Sequence, residues 1–177
     1  MTALDRAEDW FRQLLAAERN HRNNAMLRLI YYAGLRPEEL TMIRWQDVRA
    51  IGGNQGLLTL PSGGELLLPS HCWSHLLYLR SPDTQARSLI FLSRHGAALS
   101  PARVSGIVRN AARRVGLTFP CTAQQLWDCH AQSAVERGAP IALIAPPYAR
   151  VKIWGVTRAK HLRLIWAERV NGLFLGG

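Results

Sequence analysis

The stretch that most constrains the fold of this chain is residues 57–68. Leu57-Leu58-Thr59-Leu60 and Glu65-Leu66-Leu67-Leu68 are short apolar runs on either side of Pro61-Ser62-Gly63-Gly64. Runs of four suit strands and are too short for helices, and Pro and Gly at the joint supply a turn. A β-hairpin is therefore expected here, the best strand signal in a chain otherwise patterned for helices. Upstream, Thr2-Ala3-Leu4-Asp5 reads as a capping box before a stripe of Ala7, Trp10, Phe11, Leu14 and Leu15. The polar stretch Glu18–Asn24 is expected to break that helix. A second helix carries Ala25, Leu27, Leu29, Ile30 and Ala33 and ends at Gly34, and Pro37 starts a short helix through Ile43.

Downstream of the hairpin, Ser70–Leu79 reads as a helix and Ser88–Leu92 as a short strand or extended segment. Ser100-Pro101 opens a helix through Val115, closed by Gly116, and Thr122 caps one reaching Arg137, closed by Gly138. Pro140–Ile144 reads as one short helix ended by Pro146-Pro147, and a last helix starts at Arg158. The expected class is mainly α with a small antiparallel sheet (α+β), in one domain spanning residues 1–177.

Charge narrows the function. The net charge is +10, from 22 basic against 12 acidic residues, and all the basic ones are Arg except Lys152 and Lys160. A coding bias toward arginine explains the Arg share but not the excess of cations. Arginine's planar fork of donors matches phosphate, so a polyanion partner is expected. The 48% hydrophobic content, without any apolar run of the roughly 18–20 residues a span needs, argues for a globular chain with no membrane partner. The acidic, amphipathic start is unlike a targeting peptide, so the expected location is cytoplasmic. Cys72, Cys121 and Cys129 form neither a CxxC pair nor a disulfide framework, the six His are scattered, and no metal or cofactor is assigned.

Several strings, in order, carry a family resemblance. Ala33-Gly34-Leu35-Arg36-Pro37-Glu38-Glu39-Leu40 followed by Ile43-Arg44-Trp45-Gln46-Asp47-Val48 is similar to a G-L-R-x-x-E-L box with a later L-x-W-x-D-I. Ile90-Phe91-Leu92-Ser93-Arg94-His95-Gly96, with Leu99-Ser100 and a helix ending at Leu117, is similar to an F-L-S-x-x-G-x-x-L-S run. Val135-Glu136-Arg137-Gly138-Ala139 is similar to the segment after an H-x-x-R box. Together these resemble the catalytic domain of tyrosine recombinases: phage integrases, Xer-type and fimbrial-switch recombinases. The resemblance implies that fold, double-stranded DNA as partner, and a bacterial chain associated with a nucleoid or plasmid. It also implies that the N-terminal helical domain common in the family is lacking here, as in the fimbrial-switch members.

In that family a Tyr nucleophile attacks DNA while two Arg hold the phosphate, and a hairpin Lys and two His or Trp assist. Laid residue by residue on this sequence, Arg36 alone matches. The hairpin Lys falls near Pro61 or Ser62, and residues 1–151 contain no Lys. The H-x-x-R box reads Gln124-Gln125-Leu126-Trp127, the later L-G-H box reads Ala149-Arg150-Val151, and the nucleophile position falls near Ala159. Tyr148 is the sole candidate for a displaced nucleophile, and its neighbouring prolines favour a packing role. Tyr31 and Tyr32 read as core and surface respectively.

Arg36, Arg44, Arg103, Arg109, Arg113, Arg114, Gln124, Arg150 and Lys152 lie in segments that the resemblance turns toward DNA; each alone also reads as a solvated surface group. Trp127 reads either as an ordinary core residue or as a plug of the vacated arginine pocket. The final helix face of Leu162, Ile165, Trp166, Val170, Leu173 and Phe174 folds onto its own core, or else docks on a second copy or a partner recombinase. The expected function is DNA binding without cleavage, in an accessory or regulatory role for a mobile element. An active recombinase using relocated residues and a protein-interaction module that has lost DNA are the alternatives.

Overall fold

The computed structural model describes residues 3–61, 63–117 and 121–136. Helix α1 spans Ala3–Ala17 and α2 His21–Tyr31, joined by a tight break rather than a long polar loop. The break is shorter than the expected Glu18–Asn24 because Asn20 serves as N-cap. Its side chain accepts from the Asn23 N–H at 3.1 Å, so residues 21–24 form the first turn of α2. Glu18 also stabilises the junction, its buried carboxylate accepting from the Asn20 N–H at 2.9 Å.

Helix α2 runs through the centre. Ala25, Met26, Leu27, Leu29, Ile30 and Tyr31 are all buried, so the helix is covered on most sides by its neighbours. Phe11 of α1 stacks on Tyr31 with ring centroids 3.9 Å apart, and Tyr32 packs edge-on to Phe11 at 5.3 Å. Tyr32 is thus half-buried, not a free surface residue.

The chain leaves α2 through Gly34, at φ 67°, which lets the Leu35 N–H donate to the Leu29 carbonyl. Helix α3, Pro37–Leu40, is a single turn and stops short of the expected Ile43. Residues 43–44 are instead drawn into extended contacts, with Ile90 N–H donating to Ile43 O and Arg44 bridging Leu89. After a 3-10 turn at Trp45–Asp47 come β1 (Val48–Gly52), β2 (Gln55–Thr59) and β3 (Glu65–Leu68), an antiparallel sheet in that order.

The expected hairpin is β2–β3, with Leu57 opposite Leu67 and Leu58 opposite Leu66. The extra strand β1 is exposed from Arg49 onward, so its sequence carries no alternating apolar signal. It becomes a strand by pairing with β2. Gly56 lies under the Trp73 ring, where an added Cβ would fall 2.2 Å from Cε3. Trp73 belongs to α4, Ser70–Leu77, which lies against both β2 and α2.

The Ser88–Leu92 segment makes isolated bridges only, Arg44 with Leu89 and Leu92 with Ala98. Helix α5 is Pro101–Arg114, capped by the Ser100 hydroxyl and ended at Gly116 (φ 71°). Helix α6 is Ala123–Glu136, with Thr122 Oγ accepting from the Gln125 N–H at 3.2 Å. The expected closure at Arg137–Gly138, the Pro140–Ile144 helix and the final helix carrying Leu162, Ile165, Trp166, Val170, Leu173 and Phe174 lie outside the described residues. One core unites the elements: Phe11 and Leu14, Met26 and Ile30, Leu35 and Leu40, Leu58 and Leu68, Phe91, Val104 and Val108, and Leu126. Among the described residues no helix is long and apolar enough to cross a membrane.

Candidate nucleic-acid interface

Arg36 stands at the start of α3, where the chain turns out of Gly34. The backbone at Arg36 is pinned, its N–H donating to Glu39 Oε2 at 3.0 Å. Its guanidinium carbon lies 4.4 Å above the centroid of the Trp127 ring. Trp127 is itself fixed: the indole is buried and its Nε1–H donates to the Gly34 carbonyl at 2.9 Å. One turn along α6, His130 is also buried. Its Nδ1 is hydrogen-bonded to the Tyr31 carbonyl, and its Nε2 lies 2.5 Å from where a Gly34 Cβ would fall. Trp127 and His130, at i and i+3 on α6, therefore clasp the turn that presents Arg36.

Trp127 is thus a core residue set directly against Arg36. A guanidinium carbon 4.4 Å over a buried indole makes a cation–π contact worth about 0.5–2 kcal/mol. Gln124, one turn earlier, donates to Asp128 Oδ1 at 2.8 Å, an i,i+4 bond along α6. The two Gln of this box have different tasks: Gln125 caps the helix, its Oε1 accepting from the Thr122 N–H at 2.8 Å.

Arg44 is exposed and lies beside the hairpin. Its backbone N–H donates to Asp47 Oδ2 at 2.7 Å, and its guanidinium donates to the Arg87 carbonyl. It borders a groove of about 430 Å³ together with Thr41, Met42, Gln46, Thr59 and Pro61. Of the two positions expected for a family Lys, Pro61 lines this groove and Ser62 lies outside the described residues.

Arg103, Arg109, Arg113 and Arg114 are all exposed on α5, which packs against both α3 and α6. They are not equivalent. Arg114 forms a two-pronged pair with Glu18, 2.6 and 3.3 Å, and the Glu18 carboxylate is almost fully buried. Arg114 is therefore a structural clamp between α5 and the α1–α2 junction. Among the described residues Arg103, Arg109 and Arg113 take part in no ion pair.

Arg22 joins this basic region. It donates to the Leu92 carbonyl at 2.6 Å, and burial followed by the nearby Arg103 charge lowers its pKa. No sequence signal links residues 22 and 103, which only the fold brings together. Arg150, Lys152, Tyr148 and Ala159 lie outside the described residues. Burial pushes the Cys72 thiol up to about 12 and the Cys121 thiol up to about 11, so both stay protonated and unreactive near neutral pH. Among the described residues no group of three or more His, Cys, Asp or Glu is placed to hold a metal.

Comparison with known proteins places this geometry. The model of the phage integrase family matches residues 7–146. The tyrosine recombinase XerD of Mycobacterium tuberculosis is 26% identical over 164 residues, covering 82% of this chain and 51% of that protein. The chain thus spans about half the length of the curated relatives it matches. Among solved structures, the XerA recombinase superposes with a TM-score of 0.67 at 17% identity, over 96% of this chain and 61% of that one. XerH site-specific recombinase, bound to its difH substrate in a pre-cleavage complex, gives 0.65 at 15% identity, over 89% of this chain and 48% of that one.

Proposed function

The chain belongs to the phage integrase family, and on that premise we propose that it binds double-stranded DNA without cutting it. The role is that of an accessory or regulatory factor of a mobile element, in recombination, transcription or nucleoprotein assembly. The observation that carries the proposal is Trp127. It lies over Arg36 at 4.4 Å, where the family pattern has a second phosphate-binding arginine.

The magnitudes favour loss of cleavage. Removing one positioned donor from a developing oxyanion costs on the order of a hundred- to a thousandfold. Here the second arginine and the hairpin lysine are both missing, and no lysine occurs before Lys152. Gln124, in place of the family His, cannot shuttle a proton at neutral pH. DNA binding is supported by the net charge of +10 and by the exposed Arg103, Arg109 and Arg113, which take part in no ion pair among the described residues. XerH, which shares the fold, was solved on its DNA substrate.

Two measurements on the full chain test the proposal. Binding to duplex DNA, followed by fluorescence anisotropy, is expected to weaken steeply as salt rises, because bound phosphates release counterions. Salt-independent or absent binding refutes the DNA reading. A nicked suicide substrate is expected to yield no covalent adduct; an adduct that disappears in Tyr148→Phe refutes the loss of cleavage.

A further inference from the structure

Helix α4 carries His71 and His75 four residues apart, so the two rings share one face of the helix. Both are half-buried. The His71 ring packs edge-on to Tyr32 with centroids 4.4 Å apart, and its Nε2 is buried with no hydrogen-bond partner among the described residues. The His75 Nδ1–H donates to the His71 carbonyl at 2.9 Å, a bond along the same helix. A protonated His71 would carry an N–H at Nε2 with nothing to accept it, and a buried cation without an acceptor is costly.

The charges around this face do not relieve that cost. Helix α2, which packs on α4, presents Arg28, and Arg28 disfavours the charged form of both histidines. His21, at the head of α2, stacks on Tyr78 with centroids 4.4 Å apart and also disfavours charge on His75. Strand β2 packs on α4 as well; it reads Gln55-Gly56-Leu57-Leu58-Thr59 and has no ionisable side chain. Glu8 of α1 acts on Tyr32 and is paired with Arg12 at 3.1 Å, and among the described residues no carboxylate acts on either histidine. Cys72, whose Sγ–H donates to the Arg28 carbonyl at 3.7 Å, stays a neutral thiol. Burial is the largest influence on both rings, lowering His71 to about 4 and His75 below its ordinary value.

We propose that α4 is an acid-released flap, which lifts off α2 and β2 when His71 and His75 take up protons while the remaining elements stay closed. The helix is short enough to move alone, since eight residues, about two turns, do not persist without packing. At neutral pH the buried Cys72, Trp73 and Leu76 hold it down. Acid adds cations opposite Arg28 and His21, and opening returns them to water. The closed form binds these protons more weakly than the open one, so opening is favoured as pH falls below 6.5. Opening uncovers the Trp73 ring and the Gly56 backbone of β2 beneath it.

Hydrogen–deuterium exchange of the full chain at pH 7, 6 and 5, corrected for the intrinsic pH dependence of amide exchange, tests this. Amides of residues 70–77 are expected to open more often than those of α5 at each pH. Their opening should rise about tenfold from pH 7 to pH 5, a figure that allows for the partial exposure of the His71 ring. His71→Phe should abolish most of the rise. Arg28→Met, which keeps the ring and removes the opposing cation, should reduce it.

Opening of residues 70–77 that does not rise between pH 7 and pH 5 overturns the proposal. Opening equal to that of α5 at each pH overturns it too, because α4 then unfolds only with the rest of the fold. A rise that survives in both His71→Phe and Arg28→Met overturns the role of this histidine face.

Discussion

Gly34→Ala is expected to destabilise the protein by about 2–4 kcal/mol, through two separable effects. The first is local. Residue 34 sits at φ 67°, and an L-residue in the left-handed region costs about 1–2 kcal/mol. The second is tertiary. The new Cβ would lie 2.5 Å from His130 Nε2 and 2.9 Å from Cδ2, inside the contact distance that real side chains keep. The His130 ring cannot swing aside without losing its bond to the Tyr31 carbonyl, so the clash acts as overpacking worth about 1–3 kcal/mol. Alanine's smaller unfolded-state entropy returns about 0.4–1 kcal/mol, which sets the net figure. Urea titration of Gly34→Ala, His130→Ala and the double variant separates the two effects. Removing the ring relieves only the clash, so the cycle should show a favourable coupling of about 1–3 kcal/mol. A Gly34→Ala protein as stable as wild type, or a cycle additive to within about 0.5 kcal/mol, would refute the clasp between α6 and the Arg36 turn.

Four further outcomes follow from the same geometry. Arg114→Ala should cost about 2–3 kcal/mol by leaving Glu18 buried without its cation, while Arg113→Ala changes stability by less than about 0.5 kcal/mol; thermal melting distinguishes them. Trp127→Phe keeps a ring over Arg36 but loses the bond to Gly34 O, and should cost about 1–2 kcal/mol in urea. Gly56→Ala should destabilise by about 1–3 kcal/mol, since its Cβ would fall 2.2 Å from the Trp73 ring, and Trp73→Leu should recover part of the loss. His71 titrates at about 4, below its ordinary 6.5, because burial disfavours its charged form. Its folded pKa is lowered, so the unfolded chain takes up the proton first as pH falls. Stability is therefore full above 6.5 and declines toward 4, by about 1–2 kcal/mol once the ring's partial exposure is allowed for. Urea midpoints across that range should show the slope, and His71→Phe should flatten it.

Much of the architecture was written locally. Residues 57–68 announced a hairpin because short apolar runs and a Pro-Gly joint leave few alternatives. The stops at Gly34 and Gly116 were legible because only glycine enters the left-handed region cheaply. Where neighbours decided, local reading failed. Strand β1 is exposed and owes its conformation to β2, α3 ends early because residues 43–44 pair with 89–90, and Tyr32 is covered by Phe11 and His71.

The site divides in the same way. From sequence alone came the phage-integrase-like G-L-R box with Arg36, the Trp at position 127 and the excess of positive charge; these are matters of residue identity and order. Tertiary structure alone decided that Trp127 covers Arg36, that His130 excludes any side chain at Gly34, and that Glu18 holds Arg114 from 96 residues away. It also decided that Arg103, Arg109 and Arg113 are exposed on α5 and take part in no ion pair among the described residues. The physical reason is range: propensity and capping act over a few residues, whereas stacking, steric exclusion and ion pairing depend on which distant segments the core brings into contact.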